Sequence, residues 1–126
     1  MITAVNGPEN YRIELDNGSK TIVSDVSADK GGSGDGFRPH ELLAAAYASC
    51  LNISIRMIMN RLKMPYSNVR VEVDIDRGTV GKTLFLSRVR IDGDISEDDR
   101  RKILALASNC PVRKTLSQKI EFAALS

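Results

Sequence analysis

The segment HELLAAAYASCLNISIRMIMNRL, residues 40–62, decides the fold of this protein. Between Glu41 and Arg56 lie 14 uncharged residues, and all but one of residues 42–51 are apolar. A run of this length is too short to span a bilayer and suits a buried core helix. Because a helix that is apolar on all sides must be covered on all sides, we expect a partner subunit to cover part of it.

Two prolines bound the predicted helix. Pro39 suits the first helical position, where no backbone N–H is needed, and Glu41 in the first turn complements the helix dipole. Pro65 prevents much extension at the other end. The sequence therefore predicts one long helix from Pro39 to about Leu62 or Lys63.

Length and composition indicate one ordinary globular domain over residues 1–126. The chain is 42% hydrophobic and 27% charged, and 18 basic against 16 acidic residues give a net charge of +2. Because the net positive charge is this small and the basic residues are scattered, we expect no nucleic-acid partner. The N-terminal sequence lacks the pattern of a signal peptide. We therefore expect a cytoplasmic protein with no membrane association.

The sequence predicts mainly β-strands before and after the helix. YRIELDNGSKTIVSDV forms a hairpin around Asn17-Gly18, because both residues tolerate positive φ, and the glycine-rich SADKGGSGDGFR follows as a mobile loop. After the helix, residues 69–75 alternate apolar and polar, as in a half-buried strand. The returning strand carries Leu84, Leu86, Val89 and Ile91, with its phase slipping near Ser87-Arg88.

The C-terminal third contains two further helices. Ser96 is a predicted N-cap before EDDRRKILALASN, Pro111 starts a short helix, and KIEFAAL is read as a last strand. The resulting order is ββαββααβ, which indicates an α+β protein with a mainly antiparallel sheet.

Several familiar kinds of site are excluded. GTVGKT has two residues between its glycines, whereas a P-loop needs four before its Gly-Lys pair. Two cysteines and one histidine are too few for a structural zinc site within one chain. No serine–histidine–acid arrangement is visible. We therefore expect no P-loop, no structural zinc site and no serine–histidine–acid catalysis.

Cys50 and Cys110 are the candidate reactive residues. Cys110 precedes Pro111 and should occupy a helix N-cap, where backbone N–H groups and the nearby Arg113 and Lys114 favour the thiolate. Cys50 lies inside the long helix, where a free cysteine usually just packs. Each is also compatible with an inert role, and only proximity of the two sulfurs in space would favour redox chemistry.

The motifs PHELLAAAYASC and, 60 residues after its cysteine, CPV together resemble the OsmC/Ohr family of thiol peroxidases. The glycine-rich loop and the ββαββααβ order also match, so the resemblance covers essentially the whole chain. It implies an intertwined homodimer, in which antiparallel sheets from both chains wrap two long central helices and two active sites lie at the subunit interface.

The resemblance also implies a stress-response chemistry. Cys50 would be the peroxidatic thiol that attacks small organic hydroperoxides, and Cys110 the resolving thiol that converts the sulfenic acid to a disulfide. An external dithiol, in this family sometimes a lipoylated protein, would reduce the disulfide again. No metal or cofactor is needed.

The helix start departs from the family pattern. Family peroxidases carry a glutamate directly after the proline, which acts with an arginine from an upstream loop; here His40 occupies that position, and Glu41 follows. Arg38 is closer to the proline than the family arginine, and Lys30 lies roughly where that arginine falls. Arg38, His40 and Glu41 are the candidates for these roles, or they form a solvated helix start.

Two functions stay open at this point. One is a cytoplasmic, homodimeric cysteine peroxidase. The other is a catalytically weak dimer of the same fold that binds a small ligand or senses redox state, which the changed acid position favours.

Overall fold

A computed structural model describes all 126 residues and has the α+β architecture that the sequence predicts, with antiparallel sheets and three α-helices. The chain divides into two compact units, Met1–Leu43 and Ala44–Ser126. The boundary falls inside the first helix, so each unit is described by itself. The assignment of residues 1–126 to a single domain stays a prediction.

The first unit contains a three-stranded antiparallel sheet. Its strands, in spatial order, are β1 (Thr3–Asn6), β2 (Ile13–Asp16) and β3 (Thr21–Ser24). Asn17 Oδ1 accepts hydrogen bonds from the backbone N–H of Lys20 at 2.8 Å and of Ser19 at 3.0 Å, and Gly18 takes φ +99°. The predicted hairpin is therefore confirmed. β1 was not predicted, because its four residues TAVN are all exposed and show no alternation.

The glycine-rich segment after β3 is anchored rather than free. It forms a 3-10 helix at Ala28–Lys30 and returns to β3, where Phe37 N–H donates to Val23 C=O at 3.2 Å. Gly36 lies so close to Val23 that a Cβ there would clash with the Val23 carbonyl. Buried Asp25 accepts from the Ser33 hydroxyl at 2.6 Å and from the Ser33 N–H at 3.1 Å. The prediction of a mobile loop misses these anchors.

The second unit is built from most of the long helix, a hairpin and two shorter helices. Their bounds are α1 (Pro39–Arg61), β4 (Asn68–Asp76), β5 (Leu84–Asp92), α2 (Glu97–Ala107) and α3 (Pro111–Leu116). The long helix predicted from residue 39 is confirmed and ends within two residues of its predicted limit.

The β4–β5 hairpin pairs without interruption. Val71 lies opposite Val89, Val73 opposite Ser87, and Ile75 opposite Phe85. No extra residue interrupts the register, so the predicted phase slip near Ser87 is wrong. Phe85, rather than Leu84 or Leu86, faces the core, because side chains on an unbroken strand alternate strictly between its two faces.

The core of the second unit lies between α1, the hairpin and α2. Five α1 residues are buried there, and they pack with Ile91 of β5 and with Ile103 and Ala107 of α2. The five are Tyr47, Leu51, Ile55, Ile58 and Met59. The Asn52 side chain donates to the Val69 carbonyl at 2.8 Å and ties α1 to the hairpin. Ser96 caps α2 as predicted, accepting from the Asp99 N–H at 3.1 Å.

The predicted final strand, KIEFAAL, is absent. Residues 119–126 have no regular secondary structure, and the Phe122 side chain is 97% exposed. A strand exists only where a neighbouring strand pairs with its backbone, and none does so here. The observed order is therefore βββαββαα instead of ββαββααβ.

α1 is long and apolar enough, by length and composition alone, to cross a membrane. The core helix of a soluble protein passes the same test, and α1 buries five side chains in the fold. The absence of a membrane partner stays a prediction.

Candidate active site

The two cysteines, 60 residues apart in the sequence, meet in the second unit. Both are free thiols. Cys110 is 2% exposed and belongs to the buried core, and Cys50 is partly buried and packs against that core. Cys50 lies close enough to Cys110 to raise the pKa of the Cys110 thiol. The two cysteines are therefore neighbours in the fold, and their redox roles stay predictions.

Burial raises the pKa of the Cys110 thiol above its ordinary value. The backbone N–H of Arg113 acts in the opposite direction, while the neighbouring Cys50 thiol raises the pKa further. Cys110 occupies the N-cap of α3 as predicted, but its side chain makes no capping hydrogen bond. The expectation that capping makes Cys110 the thiolate is therefore wrong, because desolvation of the charge outweighs the helix start.

The two cysteines differ in their exposure to solvent, and therefore in how easily a peroxide can reach them. A peroxide must reach the sulfur that it oxidises, and Cys50 is the more accessible of the two. Cys110 is enclosed, and its thiol is harder to ionise.

A cavity of about 440 Å³ lies in the same unit. Thr83, Phe85 and Ser87 line it from the hairpin, and Tyr47 lines it from α1. α3 and the segment after it contribute Arg113, Leu116, Ser117 and Ile120. The Tyr47 and Phe85 rings pack edge to face, with centroids 5.9 Å apart and planes at 86°.

Neither cysteine lines the cavity, but one lining residue lies a helical turn from each of them. Tyr47 precedes Cys50 by three residues in α1, and Arg113 follows Cys110 by three residues at the start of α3, so each is about one helical turn from its cysteine. The sequence predicts Arg113 as a neighbour of Cys110, but it does not predict the cavity. The three-residue spacing is the only sequence signal that points to Tyr47 and Arg113. Phe85, which lines the cavity from the hairpin, could not be predicted without the register of β5.

The three remaining candidates lie at the start of α1, in the first unit. Arg38 Nε and the Arg38 backbone N–H both donate to Glu41 Oε1 at 2.9 Å. These contacts, the backbone N–H first, hold the pKa of Glu41 below its ordinary value. His40 is exposed, and Lys30 ends the exposed 3-10 helix. The structure joins Arg38 to Glu41 and leaves His40 facing solvent; their catalytic roles stay predictions.

No group of three or more His, Cys, Asp or Glu side chains in the structure is arranged to hold a metal ion. The functional candidates are thus the thiol pair and the cavity beside it.

Solved structures with the same fold come from several bacteria. An OsmC-like protein from Mycoplasma pneumoniae superposes with a TM-score of 0.77 at 19% identity, covering 92% of this chain and 85% of that one. An organic hydroperoxide resistance protein OsmC from Legionella pneumophila gives 0.64 at 23% identity, covering 93% and 89%. An organic hydroperoxide resistance protein from Elizabethkingia anophelis gives 0.65 at 22%, covering 96% and 91%. At these identities the likeness shows the fold.

A search of curated proteins finds no match. The family model described as OsmC-like protein matches residues 32–124, which include part of the glycine-rich segment, α1 and both cysteines. This match spans well over half of the sequence. The chain belongs to the OsmC-like family.

Proposed function

We propose that this protein is a cysteine peroxidase that reduces organic hydroperoxides through a Cys50–Cys110 disulfide cycle. The observation that carries the proposal is that two free thiols 60 residues apart in the sequence pack in one hydrophobic core, with Cys50 close enough to raise the pKa of Cys110. Two of the structural relatives carry the name organic hydroperoxide resistance protein, which supports the choice of substrate.

In the first step the Cys50 thiolate attacks the O–O bond of the hydroperoxide. Sulfur bonds to one oxygen, the O–O bond breaks, and the alkoxide leaves and takes a proton to become an alcohol. Cys50 becomes a sulfenic acid and is thereby oxidised by two electrons, while the peroxide is reduced by two.

In the second step Cys110 attacks the sulfur of the sulfenic acid. A disulfide forms and the hydroxyl leaves as water. An external dithiol then reduces this disulfide by exchange and becomes oxidised itself. A lipoylated protein is the kind of reductant we propose, acting in the cytoplasm, where a reducing environment keeps both cysteines as thiols.

We propose supporting roles for Arg38, Glu41 and His40. The Arg38–Glu41 pair couples a fixed positive charge to a carboxylate, a combination that can orient a peroxide and stabilise a thiolate. His40 carries an imidazole, a side chain that can act as a general acid. Because about nine residues of helix separate Glu41 from Cys50, roughly 14 Å, action on Cys50 would come from the partner subunit.

The proposed working form is a homodimer. Residues 46, 50, 53 and 57 of α1 are spaced four, three and four apart, as on the contact stripe of paired helices. Two of them, Ile53 at 43% and Met57 at 66%, are large apolar side chains exposed to solvent. Cys50 is the second member of this stripe, so a partner helix would also border the thiol pair.

A second candidate function is a ligand-binding or redox-sensing dimer with little turnover. The raised pKa of Cys110 and the engagement of Arg38 with Glu41 favour it, because both leave fewer free groups to accelerate peroxide cleavage. The disulfide would then serve as the signal instead of as an intermediate.

Single-turnover oxidation by cumene hydroperoxide and by hydrogen peroxide separates the two functions. We expect the wild-type protein to form the disulfide rapidly with the organic peroxide. The Cys50→Ser variant should not react, and Cys110→Ser should stop at the sulfenic acid, detected by dimedone and mass spectrometry.

Each variant serves as the other's control, because the substitution is the same and only the position differs. Oxidation of all three proteins at the rate of a free thiol would refute the peroxidase. Slow oxidation with a stable disulfide would favour the sensor.

A further inference from the structure

Two buried polar residues lie next to each other in the first unit. Ser24 ends β3, Asp25 follows it, and both are almost fully buried. They are the only buried residues of the chain outside the hydrophobic core. Burying a carboxylate costs free energy unless hydrogen-bond donors replace its hydration, whereas a buried polar network with all its partners fixes one arrangement of the chain around it. The burial of Ser24 and Asp25 therefore indicates a role in fixing local geometry.

Both residues hold the backbone that leads into α1. The Ser24 hydroxyl donates to the Phe37 C=O at 2.7 Å, and the Asp25 N–H donates to the same oxygen at 3.1 Å. The Phe37 N–H donates in turn to the Val23 C=O at 3.2 Å. Three hydrogen bonds thus attach Phe37 to the end of β3, although its side chain is exposed. What they fix is the position of the main chain two residues before α1 begins.

The Asp25 carboxylate holds the loop between β3 and Phe37. Oδ1 accepts from the Val26 N–H at 2.7 Å. Oδ2 accepts from the Ser33 hydroxyl at 2.6 Å and from the Ser33 N–H at 3.1 Å. A Cβ at Gly32 would clash with the Val26 carbonyl and with this carboxylate. The loop is therefore tightly closed, and its closure depends on one buried charge.

The residue after Phe37 is Arg38, which belongs to the Arg38–Glu41 pair. The Arg38 N–H and Nε both donate to Glu41 Oε1 at 2.9 Å, so the pair depends on where the backbone of residue 38 lies. The two side chains are 59% and 51% exposed. An ion pair at that exposure gains little free energy and loses side-chain entropy on forming. Its geometry therefore requires a backbone that is already fixed.

We propose that Ser24 and Asp25 are positioning residues for the Arg38–Glu41 pair. Their hydrogen bonds reach Phe37 and the loop, and their effect on the pair passes through the Phe37 backbone. The inference rests on the proposed function only for its consequence in peroxide reduction. The arrangement of the pair can be measured without it.

The pKa of Glu41, measured by NMR titration of its side-chain carboxyl, reports whether the pair is in place. Hydrogen bonds from the Arg38 backbone and side chain hold this pKa below its ordinary value. In Asp25→Asn it should rise toward that value. Loss of the Asp25 charge by itself acts in the opposite direction, because removing a negative charge favours ionisation of a neighbouring carboxyl. A rise therefore reports displacement of the pair.

Ser24→Ala is a second, milder variant. It removes one of the two donors to the Phe37 C=O without changing any charge, and it should raise the pKa of Glu41 by a smaller amount. Asp35→Asn is the matched control, because it makes the same substitution in the same loop at an exposed side chain that pairs with Arg12 at 3.4 Å. The control should leave the pKa of Glu41 unchanged.

Both variants are compared with wild type well below their unfolding midpoints, where circular dichroism shows them folded. If Asp25→Asn does not fold, Ser24→Ala decides alone. An unchanged pKa of Glu41 in the folded variants overturns the proposal, and so does an equal rise in Asp35→Asn.

The consequence for the reaction is measured as kcat/KM with cumene hydroperoxide. Asp25→Asn should lower it about 10-fold, because a displaced catalytic group loses its orientation toward the substrate, while Asp35→Asn should keep the wild-type value. If the wild type reduces no hydroperoxide, the proposed function fails, and the pKa of Glu41 still decides the positioning. If the wild type is active and the pKa of Glu41 rises with no change in kcat/KM, the role of this positioning in peroxide reduction is overturned.

Discussion

At the scale of single residues, Cys110 shows how burial and local backbone compete over one thiol. The Arg113 N–H at the start of α3 favours the thiolate, whereas enclosure in the core of the second unit opposes it, and burial is the larger effect. A charge placed among apolar side chains loses its hydration, and one neighbouring N–H does not replace it. The proposed role of Cys110 in the second step, after Cys50 has reacted, agrees with this raised pKa.

Alkylation rates test this assignment. With iodoacetamide at pH 8, we expect the free Cys50 of Cys110→Ser to react about 10-fold or more faster than the free Cys110 of Cys50→Ser, because Cys110 is enclosed and its pKa is raised. The rates follow from loss of free thiol by mass spectrometry, and both should converge in denaturant. Faster alkylation of Cys110 in the native protein would reverse the proposed roles.

Asp25 is a second residue whose ionisation is set by its surroundings. It is 2% exposed, and its pKa is lowered, first by the Ser33 hydroxyl and also by the N–H groups of Val26 and Ser33. All of these partners are donors, so only the ionised carboxylate satisfies them all.

We expect Asp25→Asn to lower the Tm by several degrees at neutral pH, because the amide group places donors against donors. A lowered folded-state pKa gives stability that is present above the unfolded value near 3.9 and is lost as pH falls through the folded pKa. The Tm difference between wild type and variant should thus shrink between about pH 5 and pH 2. A difference that stays constant with pH would contradict this account.

At the scale of elements, the β4–β5 hairpin decides which side chains reach the cavity. Its register places Phe85 on the same face as Val89 and Ile91, and Leu86 on the opposite face. The sequence places the apolar Leu84 and Leu86 in the core. In the run LFL, however, either the two leucines or Phe85 could face inward. Pairing with β4 selects between them, since Val71, Val73 and Ile75 need inward-facing partners.

Adjacent alanine substitutions test the phase. Phe85→Ala should cost about 2 to 3 kcal/mol in the free energy of unfolding, because a partly buried ring that packs against Tyr47 is lost. Leu86→Ala, with a side chain 51% exposed, should change the free energy by about 0.5 kcal/mol or less. Urea unfolding followed by circular dichroism measures both. A larger loss of unfolding free energy for Leu86→Ala than for Phe85→Ala would mean that Leu86, and not Phe85, faces the core.

At the scale of the whole molecule, the uncovered apolar surface is the main unexplained feature of a single chain. Ile53 and Met57 on α1 and Phe122 in the C-terminal segment are exposed, and large contiguous apolar surface on a soluble protein usually marks an interface. The proposed homodimer accounts for the α1 stripe.

Light scattering tests the dimer. Wild type should have twice the chain mass of 13.8 kDa, and Met57→Lys should shift the equilibrium to the monomer by placing a charge on the helix stripe. Val80→Lys is the control, since Val80 is fully exposed and lies in the β4–β5 turn. A monomeric wild type, or equal dissociation by both substitutions, would exclude α1 as the interface.

The sequence alone determined the elements whose signals are local. The apolar run with flanking prolines determined α1, Asn17-Gly18 determined the first hairpin, and Ser96 determined the start of α2, because in each case neighbouring residues supply the hydrogen bonds or dihedral restrictions. The two cysteine motifs likewise indicated the family. These features depend on contacts within a few residues of chain.

Only the tertiary structure decided what depends on distant segments. The phase of β5 required its partner strand, and the predicted last strand failed for want of one. The proximity of Cys50 to Cys110, the raised pKa of Cys110 and the cavity with Arg113 all depend on packing between α1, the hairpin and α3. Burial and long-range pairing are properties of the assembled fold, and no short stretch of sequence contains them.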